Sequence, residues 1–290
     1  KASSVMMPVL VLLSVGISVY CMTLPGAAEG LKYYLLPDFA DFSLTTVLAA
    51  MGQLFYSMSL AMGIMITYGS YMKKEDDLES SVGQIEIFDT GIAFLAGLMI
   101  VPAVVAFNGG DASLIQGKAG PGLMFGVLPK VFESFPLGGA VGAMFFLLVF
   151  FAALTSSISL LETVVSILTD KMRLTRKKAT ILSTAGILIL GIPSCLGYGP
   201  WGHITVLKMQ FLDFFDFLTN SVMMPIAAIA TCLLVARVIG VEKIEAEVTA
   251  DGKPFRRKKI FNFMIRYLCP VFAAIILVSS VANALGWISM

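Results

Sequence analysis

An all-α fold that crosses a membrane several times is what this 290-residue sequence predicts, on three observations. Hydrophobic residues make up 58% of the chain and charged residues only 13%, a balance suited to lipid rather than to a water-facing domain. Apolar stretches long enough to cross a bilayer recur along it. Lysines and arginines gather in alternate turns between those stretches, as they do in multi-pass proteins. The same composition excludes other classes. A formal net charge of +1 gives no electrostatic case for nucleic acid. Cys21, Cys195, Cys232 and Cys269 all lie in apolar stretches without C-x-x-C spacing, the pattern of buried thiols rather than of a disulfide framework or metal site. The one histidine, His203, rules out an H-E-x-x-H zinc centre.

In order, seven spans are expected in a single transmembrane domain over residues 1–290: about 6–22, 45–72, 82–107, 143–168, 179–196, 211–236 and 264–287. Pro8 near the start of the first is tolerable where neighbouring helices satisfy the freed carbonyl. The segments with Pro25-Gly26 and Pro37-Asp38 read as loop. Gly109–Gly139 is a long connection in which Val127–Phe135 forms a short helix. Pro225 kinks the sixth span, and Val241–Lys259 is the most charged loop. Lys73 and Lys74 mark the cytoplasmic side. So do Lys171, Arg173, Arg176, Lys177 and Lys178, and then Lys243, Lys253, Arg256, Arg257, Lys258 and Lys259. The opposite loops carry only Lys32, Lys118, Lys130 and Lys208. Seven spans then place Lys1 inside and Met290 outside the plasma (inner) membrane.

The second span organises the rest. AMGQLFYSMSLAMGIMITYGSYM, from Ala50 to Met72, has no charge and no proline, yet its middle is unlike a plain membrane helix. Ser57, Ser59, Ala61 and Gly63 stand where leucine and isoleucine are usual, and Gly52 and Gly69 loosen its two ends. Two half-helices are expected, roughly Thr45–Phe55 and Met62–Met72, joined by an opened strand around Ser57–Ala61. Backbone opens inside a membrane only where its polar groups meet protein, water or ligand. Opened carbonyls suit a hard cation or an ammonium group, and half-helix N-termini suit a carboxylate. A continuous helix using Ser57/Ala61 and Ser59/Gly63 as small packing positions is the alternative that spacing alone leaves open.

Polar residues inside spans are functional candidates. In FFAALTSSISLLE, Ala152, Thr155 and Ser156 fall at i, i+3 and i+4 on one helix face. Two hydroxyls with a nearby carbonyl make a neutral oxygen site for a monovalent cation, calcium preferring several carboxylates. Hydroxyls bonding back to their own helix are the alternative. Glu162 is expected to pair with a buried donor or to face an inner water cavity. Asp89 requires a cation or a proton to be tolerated in a span. Asp213 and Asp216 open the sixth span, either as helix caps or as gating groups.

These stretches, together with AGPGLMF and the FLDFFDF start of the sixth span, resemble the neurotransmitter:sodium symporter family, and within it the bacterial LeuT-type amino-acid transporters. The likeness covers the whole chain down to MIRYLCP (Met264–Pro270) and rests on four motifs in the same order. It implies a LeuT-type inverted-repeat fold running from the family's fifth helix to its eleventh. The family's first four helices are then the missing partner, without which transport is not expected. The implied sodium ligands are Ala152, Thr155 and Ser156 at one site and Ser57 and Asp89 at another. The implied substrate contacts are Tyr56, Ser57, Ser59, Met62, Ser156 and Leu160, and Asp216 is the gate. The implied activity is sodium-coupled uptake of a hydrophobic L-amino acid by alternating access, not enzymatic catalysis. Chloride is not expected to be required. Ala93, where some chloride-independent relatives carry glutamate, is neutral here, but Asp89 one turn earlier supplies a carboxylate. A seven-span receptor would not need the broken span. A cation channel is the harder alternative, since ion sites alone do not separate pore from carrier.

Overall fold

The computed structural model describes residues 2–37, 39, 42–113, 115 and 120–285. The expected ends of the chain at Lys1 and Met290, the close of the last span at Trp287, and Asp38 and Lys118 lie outside the described residues. The all-α expectation holds: among the described residues the regular elements are helical. They run α1 (Ala2–Met22), α2 (Ala27–Leu35), α3 (Leu44–Ser57), α4 (Ile64–Gly69), α5 (Leu78–Phe107), α6 (Leu128–Glu133), α7 (Gly138–Met172) and α8 (Arg176–Gly197). Then come α9 (Phe211–Asp216), α10 (Met224–Leu233), α11 (Val241–Val248), α12 (Lys258–Phe263) and α13 (Cys269–Ala284). Among the described residues, six continuous helical stretches are long and apolar enough to cross a membrane: Val5–Met22, Leu78–Phe107, Gly138–Met172, Arg176–Gly197, Phe211–Ile239 and Lys258–Ala284.

Several stretches read as loop are helical. The segment after the first span carries α2 and the charged loop carries α11, while the short helix expected over Val127–Phe135 is α6, preceded by a wide turn at Gly122–Val127. Each is too short or too polar to signal a span, and α2 is fixed by a tertiary match. Gly30 faces Pro102 so closely that a Cβ there would stand 2.6 Å from the Pro102 Cα. The expected kink at Pro225 takes the form of a π-helical turn, Phe217–Met223, just before α10. A second such turn, Met264–Leu268, precedes Pro270. Proline has no N–H for the carbonyl one turn back and its ring crowds that carbonyl, so the helix widens there.

The chain forms two compact units, Lys1–Phe42 with Glu86–Ile158, and Ser43–Ile85 with Ser159–Met290. The first packs α1, α5, α6 and the N-terminal part of α7 around Ile17, Cys21, Ala103, Val104, Leu128, Val131 and Phe145, all buried. Buried hydroxyls are satisfied there: Ser18 donates to Ser14 O at 2.7 Å and is also within 3.1 Å of Leu95 O. The second unit packs α10 on α13 through buried Ala228, Cys232, Ala273 and Ile276.

Candidate substrate and ion site

The second unit holds the broken span. Ser43 starts α3 with a reciprocal cap: its hydroxyl accepts from Thr46 N, and its own N–H reaches Thr46 Oγ1, both at 3.3 Å. The helix ends at Ser57, its last turn closed by Met58 N to Leu54 O at 3.1 Å and Leu60 N to Phe55 O at 3.0 Å. The helix is discontinuous as expected, but the opening is not an extended strand. Ser59, Ala61 and Gly63 take φ of 53°, 58° and 80°, so the chain turns through alternating left-handed residues. Ser59 and Ala61, which carry a Cβ, each cost about 1–2 kcal/mol in that region, whereas Gly63 adopts it without that penalty. The break also sits two residues later than expected and the second half-helix is shorter, Ile64–Gly69, because Gly63 begins it and Gly69 weakens its end. The Tyr56 carbonyl accepts Ser59 N at 3.0 Å, and a carbonyl oxygen has a second lone pair for another donor or a cation.

Around α4 the contacts are made by side chains. Tyr68 donates its hydroxyl to Ser159 Oγ, and Tyr71 donates to Glu162 Oε1, each at 2.7 Å. Arg176 bonds the other Glu162 oxygen at 2.5 Å. Glu162 thus has its donors, but they are not buried: the Arg176 side chain is 67% exposed and Tyr71 is exposed as well. Met62 is half-buried within the break, while Tyr56 and Leu160 are exposed. Asp216 closes α9 and accepts the Asn220 amide at 2.6 Å. Of the two carboxylates expected to cap the sixth span, only Asp213 lies in the first helical turn; Asp216 is one turn too far along. Gly52, Phe55, Asn220, Met224, Pro225, Ala273 and Ile276 line a small apolar cavity of about 20 Å³, room for no more than a water-sized group.

The first unit carries the hydroxyl face of α7. Thr155 Oγ1 donates back to Phe151 O and Ala152 O, both at 3.0 Å. Its lone pairs remain acceptors, so bonding to its own helix and ligating a cation are compatible. Ser157 likewise bonds Leu154 O at 2.8 Å, while Ser156 is exposed. Asp89 lies half-buried on α5. Sequence reasoning missed Tyr68, Ser159 and Asn220. The available signal was Tyr68 and Tyr71 three residues apart, polar tips on an otherwise apolar segment.

A sodium-dependent transporter of Bacillus subtilis, YhdH, whose function is described as uncharacterized, is 35% identical over 281 residues, 96% of this chain and 60% of that one. A similarly described transporter of Haemophilus influenzae is 33% identical, over 95% of this chain and 59% of its own. The crystal structure of MhsT in complex with L-phenylalanine matches with a TM-score of 0.83 and 35% identity, covering 95% of this chain and 61% of that chain. The chain thus spans about 60% of the length of these relatives. By fold and by these likenesses it is a multi-pass membrane protein with the LeuT-like helix pattern. The sodium:neurotransmitter symporter profile matches residues 2–286, and the chain belongs to that family.

Proposed function

We propose that this chain forms part of a sodium-coupled symporter that takes up a hydrophobic L-amino acid by alternating access. The carrying observation is the break at Met58–Gly63, where left-handed turns open the backbone between two half-helices in a protein of a sodium symporter family. Ser59 and the carbonyls of Tyr56 and Ser57 accept the substrate ammonium, and Met62 and Leu160 offer an adaptable apolar surface to its side chain. Ser156 contributes a substrate contact from α7. The phenylalanine bound by MhsT supports an apolar cargo. Ala152, Thr155 and Ser156 are the ligands for one sodium, and Ser57 and Asp89 belong to another.

Asp216 serves as the outer gate, and Asp89 supplies the negative charge that makes chloride unnecessary. Counting the broken pair α3–α4 as one crossing gives seven spans in a single transmembrane domain. The experiment is uptake of labelled leucine and phenylalanine into proteoliposomes carrying the complete gene product. An inward sodium gradient should drive saturable uptake, and potassium in its place should not. Equal uptake with either cation would reject the reading.

A further inference from the structure

Six residues are too few for a helix to hold its own direction, since isolated helices below about 12 residues are marginal. α4 is that short. Nor does it take its direction from α3, because Ser59, Ala61 and Gly63 turn the chain between them. What aims α4 is one short stretch of α7, Ser159 to Thr163. The Tyr68 hydroxyl meets Ser159 Oγ at 2.7 Å. At the near end Gly63 passes so close that a Cβ there would lie 3.1 Å from Thr163 Cγ2. Thr163 is itself buried and held by its bond to Ser159 O at 3.0 Å. Met62 precedes Gly63 in sequence, and Leu160 follows Ser159. The clasp therefore encloses Leu160 between Ser159 and Thr163 and begins one residue after Met62, the two apolar residues assigned to the substrate side chain.

We infer that Tyr68 and Ser159 are positioning residues for substrate selection. Their hydroxyl pair fixes how far Met62 stands from Leu160, and so how large a side chain is accepted. The inference rests on the reading of Met62 and Leu160 as pocket residues. Tyr71 is less suited to the role: its acceptor Glu162 is also held by Arg176. The Tyr68 bond joins two neutral hydroxyls, one of them adjacent to Leu160.

The test is competition uptake across alanine, leucine, phenylalanine and tryptophan in proteoliposomes of the complete gene product. Wild type is compared with Tyr68→Phe, Ser159→Ala, Ser159→Thr and the double variant Tyr68→Phe/Ser159→Ala. Tyr68→Phe keeps the ring and its packing, and Ser159→Thr keeps the hydroxyl. Each loss of a hydroxyl should change the alanine-to-tryptophan ratio of half-saturation constants by about fivefold, the scale of one hydrogen bond. The maximal rate for the best substrate should change less than that. The double variant should shift the ratio no further than either single, and Ser159→Thr should retain the wild-type ranking. An unchanged ranking in both hydroxyl-deleted variants, with wild-type uptake intact, would overturn this inference alone. So would singles whose effects simply add. No amino-acid uptake by wild type would overturn the transport reading and this inference with it.

Discussion

Lys253 Nζ lies 2.7 Å from Asp77 Oδ2, joining segments 176 residues apart. Two residues on from Asp77, Glu79 accepts the backbone N–H groups of Arg256 and Arg257 at 2.9 and 3.1 Å. Asp77 also caps α5 by accepting Ser80 N at 2.8 Å. The Lys253 hydrogen bond, then the Ser80 N–H, hold the Asp77 carboxyl below its ordinary value of 3.8. A depressed carboxyl stabilises fully above its unfolded value and loses that contribution as pH falls through its folded value. The melting-temperature difference between wild type and Lys253→Met should therefore be steady at neutral pH and shrink below pH 3.8. The pair is partly exposed, so the difference should be modest and should fall with added salt. A difference that stays constant to lower pH would show that Asp77 is not its source.

Gly30 and Gly16 are predicted to behave oppositely when replaced by alanine. At Gly30 the new Cβ would meet Pro102 Cα at 2.6 Å and Val101 O at 3.1 Å, backbone atoms that cannot step aside. Overpacking of this kind costs about 1–3 kcal/mol. Gly16, inside α1, has open space around the same position, so Gly16→Ala gains roughly 0.8–1 kcal/mol of helix propensity. Thermal unfolding in one detergent compares them directly. Equal effects would mean that α2 does not pack as described.

Asp216 carries a charge whose local partner is the Asn220 amide, one turn on. In the proposed gate that charge acts when the pocket closes over substrate. Asp216→Asn should leave sodium binding nearly unchanged and raise the half-saturation constant for substrate roughly tenfold or more, the scale of a lost charge-assisted hydrogen bond. Isothermal titration with sodium, beside uptake kinetics, separates the two effects. Equal losses of both would mark Asp216 as a structural residue instead.

Asp89 is predicted to balance the charge of bound sodium, since uncompensated charge in a low-dielectric site is costly. Wild-type uptake should then be the same in sodium gluconate and sodium chloride. Asp89→Asn should weaken sodium affinity strongly, and chloride should recover part of the loss. A chloride requirement in the wild type would contradict this role for Asp89.

The break was legible in the sequence because Ser57, Ser59, Ala61 and Gly63 stand where a membrane helix usually carries leucine and isoleucine, but its left-handed turns were not, since Ser59 and Ala61 carry a Cβ that such backbone disfavours. Its edges were not, since the helical hydrogen bonds persist through Leu60 N, five residues past the last large aromatic pair's start at Phe55. α2 was invisible because its nine residues, with Glu29 and Lys32 among them, are held by a packing match to Pro102 that local pattern does not encode. The Thr155 hydroxyl was legible as a candidate ligand, and its bonds to Phe151 and Ala152 were the competing reading; both can hold for one oxygen. The Tyr68–Ser159 pair joins residues 91 apart, and no spacing rule foretells such a partner.

Substrate counterflow tests the central claim most directly, because it separates a carrier from a pore. Proteoliposomes of the complete gene product are loaded with unlabelled leucine, with equal sodium on both sides, and then diluted into trace labelled leucine. The account predicts transient accumulation of label above its outside concentration, abolished when potassium replaces sodium. Simple equilibration of label without an overshoot, or an overshoot indifferent to sodium, would contradict it.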